Sequence, residues 1–141
     1  MRRFCSVFII LMIVSFLNPC FLEAGSITSK VTIKNSELIV EWATTEEERI
    51  HGLQGRPYLG ENEGMFFDYG SEKKLSFWMK DTSIPLSIAF IDKNGVIQEI
   101  VDMSPNSLES YQSKQKVRYA LEVNQGWFNR NHVQVGDRIE L

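Results

Sequence analysis

The chain has 141 residues, with 15 Lys and Arg against 18 Asp and Glu, a formal net charge of −3 and only two cysteines. This length accommodates one domain of ordinary size, and the acidic balance argues against a protein that binds nucleic acid through its phosphates. Two cysteines are too few for a disulfide-rich scaffold or a cysteine-ligated zinc site.

Residues 1–24 have the pattern of a secretory signal peptide. A short basic segment, residues 1–3, precedes an apolar stretch over residues 4–17, and Asn18-Pro19 then interrupts any helix. The apolar stretch has the length of a signal-peptide core and is shorter than the roughly 20 residues that span a bilayer. We predict cleavage after Ala24 and export to the periplasm or the extracellular space. The alternative is an uncleaved N-terminal anchor in the inner membrane.

Residues 25–141 predict a single, mainly β domain. Short segments rich in Val, Ile, Phe, Tyr and Trp alternate with turn residues, a pattern typical of all-β sandwiches and barrels. We expect a small β-sandwich, jelly-roll-like or barrel-like domain with one or two short helices. The eight predicted strands are residues 27–34, 38–43, 65–69, 75–80, 86–92, 96–102, 117–123 and 138–141.

Two short helices are predicted between the strands. Thr45 followed by three glutamates forms a capping box, in which the side chains of Thr45 and Glu48 bind each other's backbone N–H groups. This helix should run over about residues 46–53 and end near Gly52 or Gly55. Asn124 is expected to cap a second helical turn over residues 125–130.

A β-hairpin is predicted after residue 91. Asn94 or Gly95 can adopt positive φ, and the carboxylate of Asp92 can accept hydrogen bonds from the N–H groups of the turn. The string Asp-Lys-Asn-Gly also resembles the start of a calcium-binding loop. The later ligands of such a loop are missing, so the hairpin is the favoured interpretation.

Few residues could bind a metal or act as a nucleophile. His51 and His132 are the only histidines, and neither has a second ligand at the spacing of a zinc site. No cysteine would remain after cleavage, and no serine-nucleophile motif or glycine-rich phosphate loop is present. We therefore predict no metal and no cofactor.

The most unusual segment is residues 75–86. On a strand, Phe77 and Met79 would share one face, and Trp78 and Lys80 the other. Because both faces are partly apolar, we expect a central strand that is covered on both sides. Trp78 beside Lys80 could form a ligand platform, although packing as a second core layer is favoured. Asp81 begins the turn that follows.

Glu122 lies on the strand face opposite Tyr119, Leu121 and Val123. If that face is also covered, Glu122 needs a partner, because a buried unpaired carboxylate is costly. A structural ion pair is the favoured interpretation, and an anion-binding or acid–base cluster is the alternative. The partners considered are Arg49, Arg56 and Lys80, so the candidate site comprises Arg49, Arg56, Trp78, Lys80, Asp81 and Glu122.

An ordered series of short motifs resembles the bacterial and archaeal family called domain of unknown function 192. The resemblance extends over residues 38–141 and implies a compact, mainly β domain that is often exported; it implies no activity, since the family has no established biochemical function. The motifs are Arg49-x-x-Gly52-Leu53, Gly64-Met65-Phe66-Phe67, Phe77-Trp78-Met79-Lys80, Ile84-Pro85-Leu86, Phe90-Ile91-Asp92, Ala120-Leu121-Glu122-Val123-Asn124 and Gly136-Asp137.

The chain departs from the family's usual residues at three positions. Gln54 stands where methionine is usual, Asp81 where asparagine is usual, and Ser87 where an aspartate commonly follows Pro-Leu. If Asp81 and Ser87 line one functional cleft, this chain has moved a carboxylate six residues along it.

The favoured function is a non-enzymatic binding or accessory domain of the cell envelope or the extracellular space. Aromatic side chains bind sugar rings, and Trp78, Trp127 or Tyr111 could do so here. The expected partner is a small ligand or an envelope component, with no nucleic acid, and a membrane only through an uncleaved leader. The alternatives are a hydrolase or lyase that uses the candidate charged residues, and an assembly protein that acts through a sheet edge.

Overall fold

A computed structural model describes residues 26–141, so the predicted signal peptide and both cysteines lie outside the described residues. The mainly β prediction is confirmed, with nine strands and two short helices in the described part. No helix within residues 26–141 has the length and apolar character needed to cross a membrane. The elements are β1 (Thr28–Ile33), β2 (Ser36–Ala43), α1 (Glu46–His51), β3 (Glu63–Lys73), β4 (Ser76–Phe77), β5 (Leu86–Ile91), β6 (Ile97–Met103), β7 (Tyr111–Gln112), β8 (Val117–Asn124), α2 (Trp127–Arg130) and β9 (Ile139–Glu140).

Seven strands form one curled sheet, a half-barrel, in the order β6-β5-β8-β3-β2-β1-β9. Neighbouring strands are antiparallel except β2 and β3, which pair in parallel. The remaining two strands, β4 and β7, form a separate small antiparallel ribbon. Strand β8 therefore lies inside the sheet, between β3 and β5.

The sheet carries an apolar cluster on each face. On β8, Tyr119, Leu121 and Val123 belong to the first cluster, which also contains Trp127 of α2. Ala120 belongs to the second cluster, which is covered by the segment between β2 and β3 and by β4. Because side chains alternate along a strand, Glu122 lies on the same face as Ala120. The second cluster therefore surrounds a carboxyl group.

Residues 75–80 do not form the predicted central strand. Only Ser76 and Phe77 are in a strand, and this strand pairs with β7 alone. Phe77 and Met79 are buried, as their alternation suggested, but the side chain of Trp78 is 47% exposed. The expectation of a strand covered on both sides was wrong, because alternation identifies faces without showing whether a second layer covers them.

The predicted cap of the second helix was also wrong. Gly126, with φ of 83°, precedes α2 and makes no side-chain cap. The amide of Asn124 instead donates hydrogen bonds to the carbonyl oxygens of Leu59 (3.0 Å) and Gly60 (2.9 Å). Asn124 thus fixes the segment that precedes β3.

The predicted hairpin is confirmed between β5 and β6. Asp92 Oδ1 accepts hydrogen bonds from the backbone N–H groups of Asn94 (2.8 Å) and Val96 (3.0 Å). Gly95 has φ of 80°, which is the conformation that the turn requires. The Asp92 carboxylate is thus used within the turn.

Helix α1 begins as predicted and ends at Gly52. Thr45 Oγ1 accepts from Glu48 N–H (3.2 Å), and Glu48 Oε2 accepts from Thr45 N–H (2.9 Å). Gly52 has φ of 50° and ψ of −134°, and its N–H donates to the Glu48 carbonyl oxygen. This conformation turns the chain so that Leu53 enters the second cluster.

Replacing Gly52 with alanine should destabilise the protein by roughly 1–3 kcal/mol, because a Cβ strains the backbone at this φ and ψ. The nearest atom to that Cβ is 3.7 Å away, in the Phe67 ring, so the loss would come from backbone strain and not from a clash. Urea unfolding would measure it, with Ile50→Ala as the control on exposed α1 surface. A Gly52→Ala protein as stable as the wild type would contradict the strain.

Candidate functional site

A cavity of about 480 Å³ opens between α1, strand β3 and the segment that follows β4. We call it the Glu122 cavity, after the residue that β8 contributes to it. Such a volume is within the range of pockets that hold small ligands. Its polar and aromatic lining includes Arg49, Tyr69, Lys73, Trp78, Thr82 and Glu122.

Glu122 reaches the cavity from the centre of the sheet. It is paired with Met65 on β3 and Ile88 on β5, and its side chain is 4% exposed. Among the described residues its carboxyl group forms no ion pair, and it faces the cavity. Burial among apolar neighbours raises the pKa of Glu122 to about 8. At neutral pH the group is therefore mostly a neutral carboxylic acid, which can both donate and accept a hydrogen bond.

Gly64 allows this close packing of β3 against β8. A Cβ built on Gly64 would lie 2.6 Å from the Glu122 carbonyl oxygen, well inside van der Waals contact. Any larger residue would separate the two strands at the position of Glu122. The glycine of the Gly64-Met65-Phe66-Phe67 motif therefore supports the cavity floor.

Tyr69 forms part of the cavity wall, and two cationic side chains, Arg49 and Lys73, lie near its ring. The Arg49 guanidinium lies 4.8 Å from the centre of the Tyr69 ring, and Lys73 Nζ lies 5.1 Å from it. Burial raises the pKa of Tyr69, with a further upward contribution from Glu122, and the positive charge of Arg49 opposes this. Tyr69 is therefore a neighbour of the cationic side chains and responds to the charge of Glu122.

Arg49 is held in place by the backbone. Its Nη1 donates hydrogen bonds to the carbonyl oxygens of Thr44 and Asp68, the latter at 3.0 Å. Arg49 can reach both because it lies in the last turn of α1, just before the turn at Gly52. The motif Arg49-x-x-Gly52-Leu53 thus places one charge at the cavity and anchors its helix in the core.

The rest of the wall is aromatic. The Phe67 and Phe77 rings pack edge to face with centroids 5.0 Å apart, and Phe77 also contacts Phe90 at 5.9 Å. Trp78 lines the cavity while nearly half of its side chain is open to solvent. An aromatic surface of this kind can stack on the apolar face of a ring-shaped ligand.

The structure brings together three of the six candidate residues, Arg49, Trp78 and Glu122. Arg56 forms a bidentate ion pair with Glu41, with Nη2–Oε2 at 2.6 Å, and this hydrogen bond holds the pKa of Glu41 below its usual range. Lys80 Nζ is 5.4 Å from the centre of the Trp78 ring, but Lys80 does not line the cavity.

Asp81 also lies outside the cavity lining. It is exposed, has φ of 51°, and accepts a hydrogen bond at its carbonyl oxygen from Gly55 N–H (2.8 Å). Ser87 is buried, donates to Asp102 Oδ1 (2.6 Å), and lines a different pocket. Asp81 and Ser87 therefore share no cleft, and the idea that a carboxylate has moved between them along one site is wrong.

Two further expectations are corrected by the geometry. The ion pair expected for Glu122 with Arg49, Arg56 or Lys80 is not formed; burial favours the neutral acid, which needs no cation. Trp127 is fully buried and donates through Nε1 to Asn62 Oδ1 (3.1 Å), so it cannot stack on a ligand. The hydroxyl of Tyr111 accepts from Ser104 N–H (3.0 Å), away from the cavity lining.

Sequence reasoning missed Tyr69, Lys73 and the buried Thr82. Tyr69 follows Phe67 at the spacing that places both on one strand face, so alternation along β3 could have identified it. Lys73 could not be found this way, because the pairing of β3 with β8 shifts register between Asp68 and Lys73. No group of three or more His, Cys, Asp or Glu within residues 26–141 is placed to hold a metal ion.

Comparison with known proteins places the chain among uncharacterised proteins. The sequence profile of the family DUF192, described as an uncharacterised ACR, matches residues 28–141. A protein of Sinorhizobium meliloti 1021, provisionally described as a transcription regulator, is 33% identical, with a TM-score of 0.81 over 84% of this chain and 96% of that one. A protein of unknown function from Novosphingobium aromaticivorans DSM 12444 is 28% identical, with a TM-score of 0.78 over 85% and 89% of the two chains. The comparison with curated proteins gave no match.

Proposed function

The chain belongs to the DUF192 family, and we propose that its domain is a non-enzymatic binding module that holds a small hydroxylated ligand in the Glu122 cavity. The observation that carries the proposal is a buried carboxyl group, without an ion-pair partner among the described residues, at the floor of a cavity. The Glu122 side chain is 4% exposed and lines the cavity, so its carboxyl group is available to a ligand hydroxyl, with which it could both donate and accept a hydrogen bond.

The lining suits a sugar better than a purely apolar ligand. Trp78 and Phe77 offer apolar faces, while Glu122 and Thr82 offer hydrogen-bonding groups. Sugar rings present both kinds of surface, with C–H groups on the faces and hydroxyls around the edge. Because Trp78 is partly exposed at the cavity, a terminal residue of a larger glycan could also be bound there.

We further propose that the protein acts in the periplasm or outside the cell. The signal-peptide pattern of residues 1–24 and the frequent export of the family support this location. A soluble carbohydrate or an envelope glycan would be accessible in that compartment. The net charge of −3 speaks against direct contact with nucleic-acid phosphates, although the Sinorhizobium protein is described as a regulator.

Binding of the purified domain, residues 25–141, to an array of bacterial envelope glycans would test the proposal. The wild type should bind, and Trp78→Ala should lose most of the signal because the stacking surface is removed. Tyr58→Ala is the matched control, since Tyr58 is an exposed aromatic residue outside the cavity lining. Absence of binding by the wild type, or equal loss in both folded variants, would reject this function.

A further inference from the structure

We infer that the ligand of the Glu122 cavity is an acidic sugar, a small hydroxylated ring with a carboxylate, and that Arg49 and Lys73 bind this carboxylate. The inference rests on the proposed binding function and specifies its ligand class. It is carried by the positions of the two cations, by the absence of a carboxylate paired with either of them among the described residues, and by the aromatic and hydrogen-bonding groups in the rest of the lining.

The two cations converge on one part of the lining. Both lie close to the Tyr69 ring, with Arg49 at 4.8 Å and Lys73 at 5.1 Å from its centre. Arg49 is oriented by hydrogen bonds from Nη1 alone, which leaves its other guanidinium N–H groups without a protein acceptor among the described residues. Two positive charges near each other repel, and an anion between them would relieve this repulsion.

No carboxylate of the described residues pairs with either cation. Asp68 is close to Arg49 but its carboxylate binds Arg118, at 3.0 and 3.1 Å. Glu48 is used in the capping box, and Glu46, which also lines the cavity, forms no ion pair within 4.0 Å. Glu122 adds little negative charge at neutral pH. With Glu122 neutral, the two cations among the described residues of the lining, Arg49 and Lys73, outnumber its one charged carboxylate, Glu46.

The nature of the cations favours a carboxylate. A guanidinium presents parallel N–H groups that match the two oxygens of a carboxylate, and Lys73 adds a single flexible charge. The anion would lie at the Tyr69 end, with the ring of the ligand extending toward Trp78 and its hydroxyls toward Glu122 and Thr82. A uronic acid combines these features in one ring of small size.

Isothermal titration of D-glucuronate, D-glucose and D-glucose 6-phosphate into the wild-type domain would test the ligand class. We expect glucuronate to bind at least about tenfold more tightly than glucose, with an affinity that falls as salt is added. Lys73→Met should weaken glucuronate binding by about tenfold and leave glucose binding unchanged, while Lys73→Arg should retain it. Arg138→Met, which removes an exposed charge outside the cavity lining, should behave as the wild type.

The outcomes separate this inference from the proposed function. Equal affinity of the wild type for glucuronate and glucose would overturn the acidic ligand and support the binding function. Tighter binding of glucose 6-phosphate would overturn the carboxylate in favour of a phosphate. An unchanged affinity for glucuronate in Lys73→Met would overturn the role of Lys73. If none of the three sugars binds, the inference fails, and the glycan array decides the binding function separately.

Discussion

Replacing Glu122 with glutamine is expected to stabilise the protein at pH 8 to 9 and to leave its stability near pH 4 almost unchanged. The pKa of Glu122 is raised to about 8 by burial, from an ordinary value of 4.5. Between these values the unfolded chain has lost the proton while the folded protein retains it, so unfolding releases a proton. The free energy of unfolding must then fall as pH rises through this window.

The size of the change in the free energy of unfolding follows from the difference between the pKa values of Glu122 in the folded and the unfolded protein. A shift of this extent corresponds to a loss of at most about 5 kcal/mol between pH 4 and pH 9, because each pKa unit is worth about 1.4 kcal/mol. Glutamine has nearly the same shape, is neutral at every pH, and so avoids this loss. The variant should therefore be more stable than the wild type above pH 8 by up to this amount.

Urea unfolding of both proteins at several pH values would measure the difference. The difference between their free energies of unfolding isolates Glu122, since all other groups titrate in both proteins. Glu140→Gln, a change at the exposed position of β9, should reproduce the wild-type curve. A constant difference between wild type and Glu122→Gln across this range would show that Glu122 titrates near its ordinary pKa.

The second large effect is expected from Trp127. Its side chain is fully buried in the first cluster, packs edge to face on Phe128 with centroids 5.6 Å apart, and donates a hydrogen bond to Asn62. Trp127→Ala would leave a large cavity in the first cluster, at a cost of roughly 3–5 kcal/mol. A domain of this size has only about 5–15 kcal/mol of stability, so this loss would be a large fraction of the total.

Trp78→Ala is the matched comparison for Trp127→Ala. Trp78 is 47% exposed, and its cation–π contact with Lys80 lies at the surface, so its removal should cost at most about 1 kcal/mol. Thermal unfolding followed by circular dichroism would measure both variants. A loss of similar size in the two would contradict the distinction between a core tryptophan and a tryptophan at the cavity surface.

These two tryptophans show what sequence patterns could predict. Segments rich in β-branched and aromatic residues, separated by turn residues, predicted β structure, and the strands of the central sheet lie close to where this pattern put them. Exposure depends on which distant segment packs above a residue, and this is decided by strand order. The pairing of β8 with both β3 and β5 joins residues that are far apart in the chain, and no local signal predicts it.

Glu122 illustrates the same limit within the site. Alternation along β8 correctly put it on the face opposite Tyr119, Leu121 and Val123, and the cost of burying it pointed to a role. A cation was then expected as its partner, but Arg56 was engaged with Glu41 and Lys80 lay beside Trp78. Periodicity predicts the face of a residue, whereas the distance to a partner depends on loops whose paths it does not describe.

The parallel pairing of β2 with β3 has a consequence for how relatives could diverge. Two neighbouring parallel strands need a crossover connection between the end of one and the start of the next. Here residues 44–62 form this connection. This crossover carries α1 with Arg49 and is attached to the sheet by the buried side chains of Leu53 and Leu59. Changes in length or sequence within this crossover would alter the α1 side of the cavity while the half-barrel stays intact. Ligand preference could therefore evolve, or be engineered, in one short segment of the chain.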